Sequence, residues 1–494
     1  MVSANLAYKE ILPLENDSTQ IVESPIKWTS VSLSDVIKRG KRLEASVFDV
    51  EARKVRQSIK NNIYGYKYLG GDEGLVTAYV RPRFKRIWLK TSDLPIFQPS
   101  SITDIKPVPD GYLSHRTETD INALRVHSGQ ILMTCSGTIG RVALVSKTLD
   151  NQIFSHDLLR IICKRTEDVG FVYAYLKSKS GQILISSNNY GSVITHIEPE
   201  HLATIPIPDA PETIKKRIND LVVQSYAFRD QSNELIEQAT NLLVEALELP
   251  PITDFDVNLF RKRADVDTFS VSLSSTAGRL DASYHIPLVD AIVEHLKQHA
   301  AEVTTVGDPR ISKEVILPVR FKRVYVEEGY GRVLLGGKQL YELDPTNKKY
   351  ISSTKHRQLM NSLEISENTI LITRSGTIGK VAIAPKYWEH WIPSDHIIRV
   401  VPANNNIAGY IYIFLQSDYA YPLITRFTYG SVVDEIDNNH MSNVAIPLLA
   451  DAEQQKKIND MALNANELCY QAYTLEQKAL QIMDEDVLGL QYSQ

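Results

Sequence analysis

Hydrophobic positions change their spacing twice along the chain, in the same way each time. Between residues 40 and 210, short β-branched runs (QILMTC, 130–135; RVALV, 141–145; LLRIIC, 158–163; ATIPIP, 203–208) are bounded by glycine, serine, asparagine or proline, as strands and turns are. One longer apolar stretch, 169–185, predicts a single helix. Beyond IPIPDAP the period becomes helical: Ile214, Ile218, Leu221, Val222, Leu235, Ile236, Leu242, Leu243 and Leu247 recur with no proline until Pro250. The second half ends likewise, with Ile458, Met461, Ala462, Ala465, Leu468, Ala472, Leu475, Ile482 and Met483 predicting a helix from about 451 to 485. A helix of this length spans roughly 50 Å, and its apolar stripe needs a partner, for which its own repeat is the nearest equivalent. The expected fold is α+β: two mixed globules, each followed by a long helix, with the helices paired antiparallel as a coiled-coil spacer and the halves related by a pseudo-twofold.

The repeat extends well beyond the helices. CSGTIGRVALV at 135–145 returns as RSGTIGKVAIA at 374–384, SHDLLRI at 155 as SDHIIRV at 394, and YGSV at 190 as YGSV at 429, all at an offset of 239. IPIP at 205 is answered by IPLL at 446 and IKKRIND at 214 by QKKIND at 455, while RLEAS at 42 and RFKR at 83 return as RLDAS at 279 and RFKR at 320. Collinear matches over half the chain exclude chance recurrence of one turn. The expected boundaries are an N-terminal lead at 1–28, a first globule at 29–210, a central helix at 211–250, a second globule with its lead-in at 251–449 and a C-terminal helix at 450–494.

Composition narrows the class. With 494 residues, 43% of them hydrophobic and 23% charged, the chain has the size and balance of two or three folded domains. No apolar run reaches membrane-spanning length and the first residues lack a signal-peptide pattern, so a soluble, cytoplasmic protein without a membrane partner is expected. Cys135, Cys163 and Cys469 lack CxxC spacing and read as buried free thiols rather than disulfides or a zinc site. A net charge of -5 argues against a uniformly basic coat for nucleic acid but leaves local patches open.

The doubled, ordered set of an apolar strand into SGTIG, an aliphatic strand, YGSV, IPIP or IPLL, and a helix opening with ETIKKRI or AEQQKKI resembles the specificity subunits of type I restriction-modification systems, over most of residues 40 to 485. An S-like subunit of another methylation-linked phage defence system fits the same pattern. The resemblance implies two target-recognition domains, each reading half of a bipartite double-stranded DNA sequence, with the paired helices as a ruler. It also implies a non-catalytic chain without a cofactor. Methyltransferase subunits would dock on the spacer helices and a restriction motor subunit would join in some systems, with S-adenosylmethionine and ATP bound by those partners. The lead 1–28 and the stretch 251–275 exceed a minimal unit and leave room for a system-specific contact.

Candidate DNA contacts follow from charge and repetition. The segment RPRFKRIWLK carries Arg81, Arg83, Lys85, Arg86 and Lys90 without an acid, interleaved with Phe84 and Trp88. Such cations neutralise phosphates, and arginine pairs bidentately with guanine. A charge-protected edge strand is the alternative. Recurrence of the segment as Arg320, Lys322 and Arg323 favours DNA, with a weaker field in the second copy because Glu327 and Glu328 follow. In the SGTIG loops, Ser136, Thr138, Ser375 and Thr377 offer hydroxyls for a phosphate cradle, although a tight turn using glycine's positive φ is favoured. Arg141, Arg374 and Lys380 beside these loops are expected backbone contacts. The YGSV frames share Tyr190 and Ser192 with Tyr429 and Ser431, but their tips differ, Thr195 and His196 against Asp434 and Glu435. Two readers given different bases would diverge in this way, and an acid accepts from cytosine N4; drift on a solvated loop fits equally well.

His156-Asp157 and Asp395-His396 swap order between copies, which no fixed catalytic geometry survives. Lys215, Lys216, Arg217, Lys456 and Lys457 open the long helices, where cations oppose the helix dipole, so DNA or a partner is their expected counterpart. A methyltransferase fused to its reader needs an [N/D/S]PP[Y/F/W] tetrapeptide, and LPPI at 249 is the nearest sequence. A helical scaffold whose globules bind protein is the remaining rival, and it would lack salt-dependent DNA binding.

Overall fold

The computed structural model describes residues 30–38, 41, 43, 45–190, 195–255, 268–276, 278–345, 347–355, 357–430 and 432–490. The expected N-terminal lead 1–28, Ser192, Ser431 and part of the 251–275 stretch lie outside them.

In the first half, β1 (Val76–Tyr79), β2 (Ile131–Thr134), β3 (Val142–Leu144) and β4 (Leu158–Cys163) form an antiparallel sheet in the order β1-β4-β2-β3. The strands read as continuous apolar runs because both faces are covered. Ile131, Met133, Val142, Leu144, Leu159 and Ile161 join a core built with helices, whereas Leu132, Ala143, Val145 and Leu158 turn to the opposite face with Phe97 and Phe154. That second face is closed by a small sheet of Trp88–Leu89, Gly111–Leu113, Pro95–Phe97 and Ile153–Phe154. Arg160, fully buried, donates to the carbonyls of Leu124 and Phe154, each at 3.2 Å, and so ties the layers together through main-chain acceptors.

The expected helix at 169–185 is two, α1 (Val169–Lys177) and α2 (Lys179–Ser187). Ser178 between them adopts an extended conformation and its hydroxyl accepts from Gly181 N at 3.1 Å, the N-cap geometry that ends one helix and starts the next. The chain then enters α3 (Glu212–Ala246).

The second half repeats this plan. Strands β5 (Ser312–Ile316), β6 (Ile370–Thr373), β7 (Val381–Ile383) and β8 (Ile397–Pro402) are ordered β5-β8-β6-β7, and a small sheet again covers one face. Arg399 takes the place of Arg160, donating to the carbonyls of Glu364 at 2.8 Å and Ser362 at 2.9 Å. Helices α4 (Asn405–Leu415) and α5 (Ala420–Thr425) precede α6 (Ala452–Ile482). All three cysteines are free and buried. Among the described residues, no helix is long and apolar enough to cross a membrane.

The long helices bind the halves. On α3 the inward stripe is Ile218, Val222, Ser225, Arg229, Ser232, Ile236, Ala239 and Leu243; on α6 and the turn after it, Ile458, Ala462, Ala465, Cys469, Ala472, Glu476, Ala479 and Met483. Both alternate steps of four and three, the heptad spacing of a coiled coil. Ser225 Oγ donates to the Ala472 carbonyl at 2.7 Å, Ser232 Oγ to that of Ala465 at 2.9 Å, and Arg229 Nη2 to Glu476 Oε1 at 2.9 Å. From the Ser225–Ala472 bond to the Ser232–Ala465 bond the partner's number falls as the first helix's rises, so the pair is antiparallel. Ser225 is the repeat equivalent of Ala465 and Ser232 that of Ala472, so the two bonds are repeat equivalents of each other and the pseudo-twofold axis runs between them.

Each helical hairpin docks on its own long helix through a matched glycine. Gly170 N donates to Asn219 Oδ1 at 2.8 Å and Gly409 N to Asn459 Oδ1 at 2.9 Å. A Cβ on Gly170 would stand 2.5 Å from Asn219 Cα, and one on Gly409 2.3 Å from the Asn459 carbonyl oxygen, so only glycine admits this approach. The symmetry breaks at Glu476. Burial would push its carboxyl up, but Lys177 at 2.7 Å and Arg229 outweigh that and hold it at about 2, with the Tyr173 hydroxyl as a third donor. Arg229 and Glu476 correspond by repeat to Cys469 and Ile236, so this charge cluster exists on the first domain's side alone.

Replacing Ala472 with leucine at this seam is expected to cost about 1–3 kcal/mol by overpacking. A urea unfolding curve with a lower midpoint and an unchanged slope checks it.

Candidate nucleic-acid interface

Four sequence motifs distant along the chain converge in each domain. The SGTIG segment links β2 to β3 and β6 to β7, and residues just after the YGSV motif lie against it: Gly137 N donates to the Thr195 carbonyl at 3.0 Å and Gly376 N to that of Asp434 at 3.3 Å. The bridges Tyr190–His196, Ser136–His196, Tyr429–Glu435 and Ser375–Glu435 complete the joint. The swapped acid-histidine pairs sit beneath it. Ser136 Oγ donates to Asp157 Oδ1 at 3.4 Å and also hydrogen-bonds with His196 Nδ1 at 2.9 Å, whereas Ser375 Oγ hydrogen-bonds with His396 Nδ1 at 2.5 Å. The basic segment closes the group, with Phe84 edge-on to His156 at 5.8 Å in one domain and Arg323 paired with Asp395 in the other. Burial pushes the His156 imidazole down; Asp157 opposes this, and the charges of Arg86 and Arg83 reinforce it.

The SGTIG loops are turns. Gly137, Gly140, Gly376 and Gly379 have φ of +68°, +88°, +72° and +85°. Thr134 Oγ1 donates to the Thr138 carbonyl at 2.6 Å and accepts from Arg141 N at 3.0 Å; Thr373 does the same with Thr377 at 2.6 Å and Lys380 N at 2.9 Å. With the N–H groups of 137, 140 and 141 committed inside the fold, the hairpin turn rather than the phosphate cradle describes these loops. Thr138 and Thr377 remain exposed at the tips and face one cavity of about 730 Å³ between the domains.

The two basic segments differ in kind. Arg83, Lys85 and Lys90 are exposed and Arg81 and Arg86 half-buried, and among the described residues none of the five pairs with a carboxylate. Two of their guanidinium groups lie over aromatic rings, Arg81 at 4.7 Å from the Tyr79 ring and Arg86 at 5.8 Å from Phe84 and 5.9 Å from Trp88. In the second domain Arg320 lies 3.3 Å from Asp395 and 3.5 Å from Glu435, and Lys322 is exposed. Asp395 and Glu435 thus add acidic charge beside this segment to that of Glu327 and Glu328, and Glu328 accepts from the Tyr350 hydroxyl at 2.7 Å.

Several expected DNA contacts also have partners within the chain. Arg374 is buried, donating to Glu435 Oε2 at 2.5 Å and to the Ile436 carbonyl at 2.9 Å, so the pair closes the loop joint instead of facing a base. Arg141 lies 3.4 Å from Glu342 of the other domain, and Lys380 stands 5.0 Å from the ring of Tyr341. Thr195 donates to the Gly137 carbonyl at 3.0 Å, and Asp434 is exposed. Tyr190 donates to Glu198, which raises the Tyr190 pKa to about 12, while Tyr429 is exposed. Four of the five helix-opening cations are also paired within the chain, buried Lys215 with Asp209 at 2.8 Å, Lys216 with Asp220 at 2.7 Å, Arg217 with Asp486 at 3.8 Å and Lys456 with Asp460 at 2.7 Å, while Lys457 is exposed. Val432, 94% exposed, and Val433 form an apolar tip that charge and hydrogen-bonding arguments do not register. No group of three or more His, Cys, Asp or Glu suited to a metal occurs among the described residues.

The family model described as "Type I restriction modification DNA specificity domain" matches residues 25–240 and 337–461, more than half of the chain. The chain belongs to this family, whose domains specify the DNA target and are not catalytic. No curated protein sequence matches. Among solved structures, the type I restriction-modification S subunit from M. genitalium is 15% identical, with 87% of this chain and 96% of that chain covered and a TM-score of 0.33. The HsdS subunit from Thermoanaerobacter tengcongensis is 14% identical over 85% of this chain and 99% of that one, with a TM-score of 0.26. A chain from work on complex assembly and conformational transition of the type I R-M system is 14% identical over 82% and 98%, with a TM-score of 0.27. The assignment rests on the family model.

Exchanging Arg83, Lys85 and Lys90 together for glutamine is expected to weaken duplex binding and to flatten the slope of log affinity against log salt by about 2 to 3, near 0.9 for each phosphate no longer neutralised. A fluorescence-anisotropy salt titration measures it, and an unchanged slope removes these residues from the interface.

Proposed function

We propose that this chain reads a bipartite duplex sequence, one half with residues 29–210 and the other with residues 276–449, and directs a partner methyltransferase to it in defence against foreign DNA. The observation that carries the reading is the duplication of one loop joint with different chemistry in each copy, on domains related by a pseudo-twofold axis. Duplex DNA with two separated half-sites has the matching symmetry, and different tips suit different half-sites. In the first domain the cations Arg81, Arg83, Lys85, Arg86 and Lys90 hold phosphates, with Thr195, His196 and the Tyr190 frame at the base edges. In the second, Lys322 and Arg320 take phosphates, and Asp434, Tyr429 and the Val432 tip face the groove, an acid suiting cytosine N4 and an apolar tip the thymine methyl. Arg141, Lys380, Arg374 and Glu435 are assigned to holding the domains in shape.

The exposed faces of α3 and α6 take the methyltransferase subunits, with a restriction motor subunit as a further partner. S-adenosylmethionine and ATP, where used, belong to those partners. Methylome sequencing of a host carrying this gene and its neighbouring methyltransferase gene, against a host lacking this gene alone, is expected to show a bipartite methylated motif that vanishes with the gene. A methylome unchanged by the deletion excludes the methyltransferase link.

A further inference from the structure

The two recognition domains touch where the pseudo-twofold axis leaves the helix pair. PSSITDIKP at 99–107 and GKQLYELDP at 337–345 are repeat equivalents, and their residues Asp104 and Glu342 pair with each other in an antiparallel bridge. Ile105 N donates to the Tyr341 carbonyl at 2.7 Å, a main-chain bond from one domain to the other. The flanking cations are equivalents too. Arg141 reaches Glu342 at 3.4 Å, and Lys380, its repeat mate, contributes a favourable charge to Asp104. The helix pair anchors the contact from below, where Asn233 Nδ2 donates to the Ile105 carbonyl at 2.9 Å and Ile105 and Leu343 pack on Cys469 and Ala472, while the Tyr387 hydroxyl of the second domain donates to the Leu343 carbonyl.

We infer that Asp104, Glu342, Arg141 and Lys380 form a clasp that fixes the angle and separation of the two recognition domains, and thereby the half-site spacing the protein accepts. The consequence for spacing rests on the bipartite reading above; the clasp itself does not. These four are positioning residues, since they act through the domains they join. Without such a contact, each domain would be held only by its own end of the helix pair, and bending there would let neighbouring spacings bind.

Asp104, at the centre beside Glu342, gives the clasp a pH response. Burial pushes the Asp104 carboxyl up to about 7 from 3.8, Glu342 adds to this, Lys380 and Arg141 oppose it, and Asp110 adds again; Tyr341 is the other titratable neighbour. A carboxyl whose pKa is raised in the closed state favours closure when protonated. Its contribution is therefore complete below the ordinary carboxylate range and is lost as pH rises through about 7.

The test uses the full chain with nitroxide labels at Ser128→Cys and Glu367→Cys, exposed and repeat-equivalent sites; the native cysteines are buried. Pulsed electron-electron resonance is expected to give a narrow interdomain distance distribution that broadens with Glu342→Arg and narrows again when Arg141→Glu is added. Lys380→Glu, a change at a half-buried position, gives an independent broadening should the first variant fail to fold. The distribution is also expected to broaden between pH 6 and pH 8.5, and Asp104→Asn to abolish that change. Duplexes carrying the methylome motif with one base pair more or fewer between its halves are then compared. The parent is expected to favour one spacing by about tenfold or more, and the opened variants by about threefold or less. Distance distributions identical in parent and variants overturn the clasp. Broadened distributions with undiminished spacing preference overturn its role in target spacing. A parent that binds no bipartite site overturns the bipartite reading instead, and the distance measurement still decides the clasp.

Discussion

Close contact between α3 and α6 is the constraint on which the rest of the molecule depends. A coiled-coil stripe occupied at its centre by Ser225, Ser232, Ala465 and Ala472 lets the two backbones approach until serine hydroxyls reach carbonyls of the opposite helix. Larger side chains there would hold the helices apart. Because those two bonds are repeat equivalents of each other, the same contact sets the pseudo-twofold axis, and everything attached to either helix inherits it. Gly170 and Gly409 then seat each domain against its helix at one depth, and Asp104 meets Glu342 where the axis emerges.

Symmetry in the scaffold coexists with asymmetry in the chemistry. The first domain presents five cations that pair with no carboxylate among the described residues, whereas Arg320 and Arg323 of the second are shared with Asp395 and Glu435. One duplicated joint therefore carries a strongly positive surface in one copy and a nearly neutral, partly apolar one in the other. On the proposed reading, phosphate attraction orients the protein on DNA from one side, while base contacts decide the sequence at both. The Glu476 cluster has the same one-sided character: it buries charge against the first domain only, where Lys177, Arg229 and Tyr173 satisfy it.

Much of this was legible in the sequence because a repeat supplies its own control. Two copies of SGTIG, YGSV and the helix openings identified two domains and two spacer helices, and helical spacing located α3 and α6 within a few residues. Ser178 reads as part of a single helix because the apolar pattern continues across it, whereas its hydroxyl caps the second helix. Arg374 and Glu435 look like surface chemistry because their partnership spans 61 positions, and neither residue alone reveals the other's charge. Lys215, written as one of a basic run, buries itself against Asp209 once the helix start turns it inward. The junction of Asp104 with Glu342 left only a faint trace, two acids followed by proline at matching repeat positions, since nothing local requires equivalent segments to meet.

One domain reading one half-site is the central claim, and exchanging residues 29–210 for the corresponding segment of a relative with a different methylated motif tests it most directly. Methylome sequencing of the hybrid is expected to show one half of the motif replaced and the other half unchanged. A hybrid that alters both halves, or neither, contradicts it.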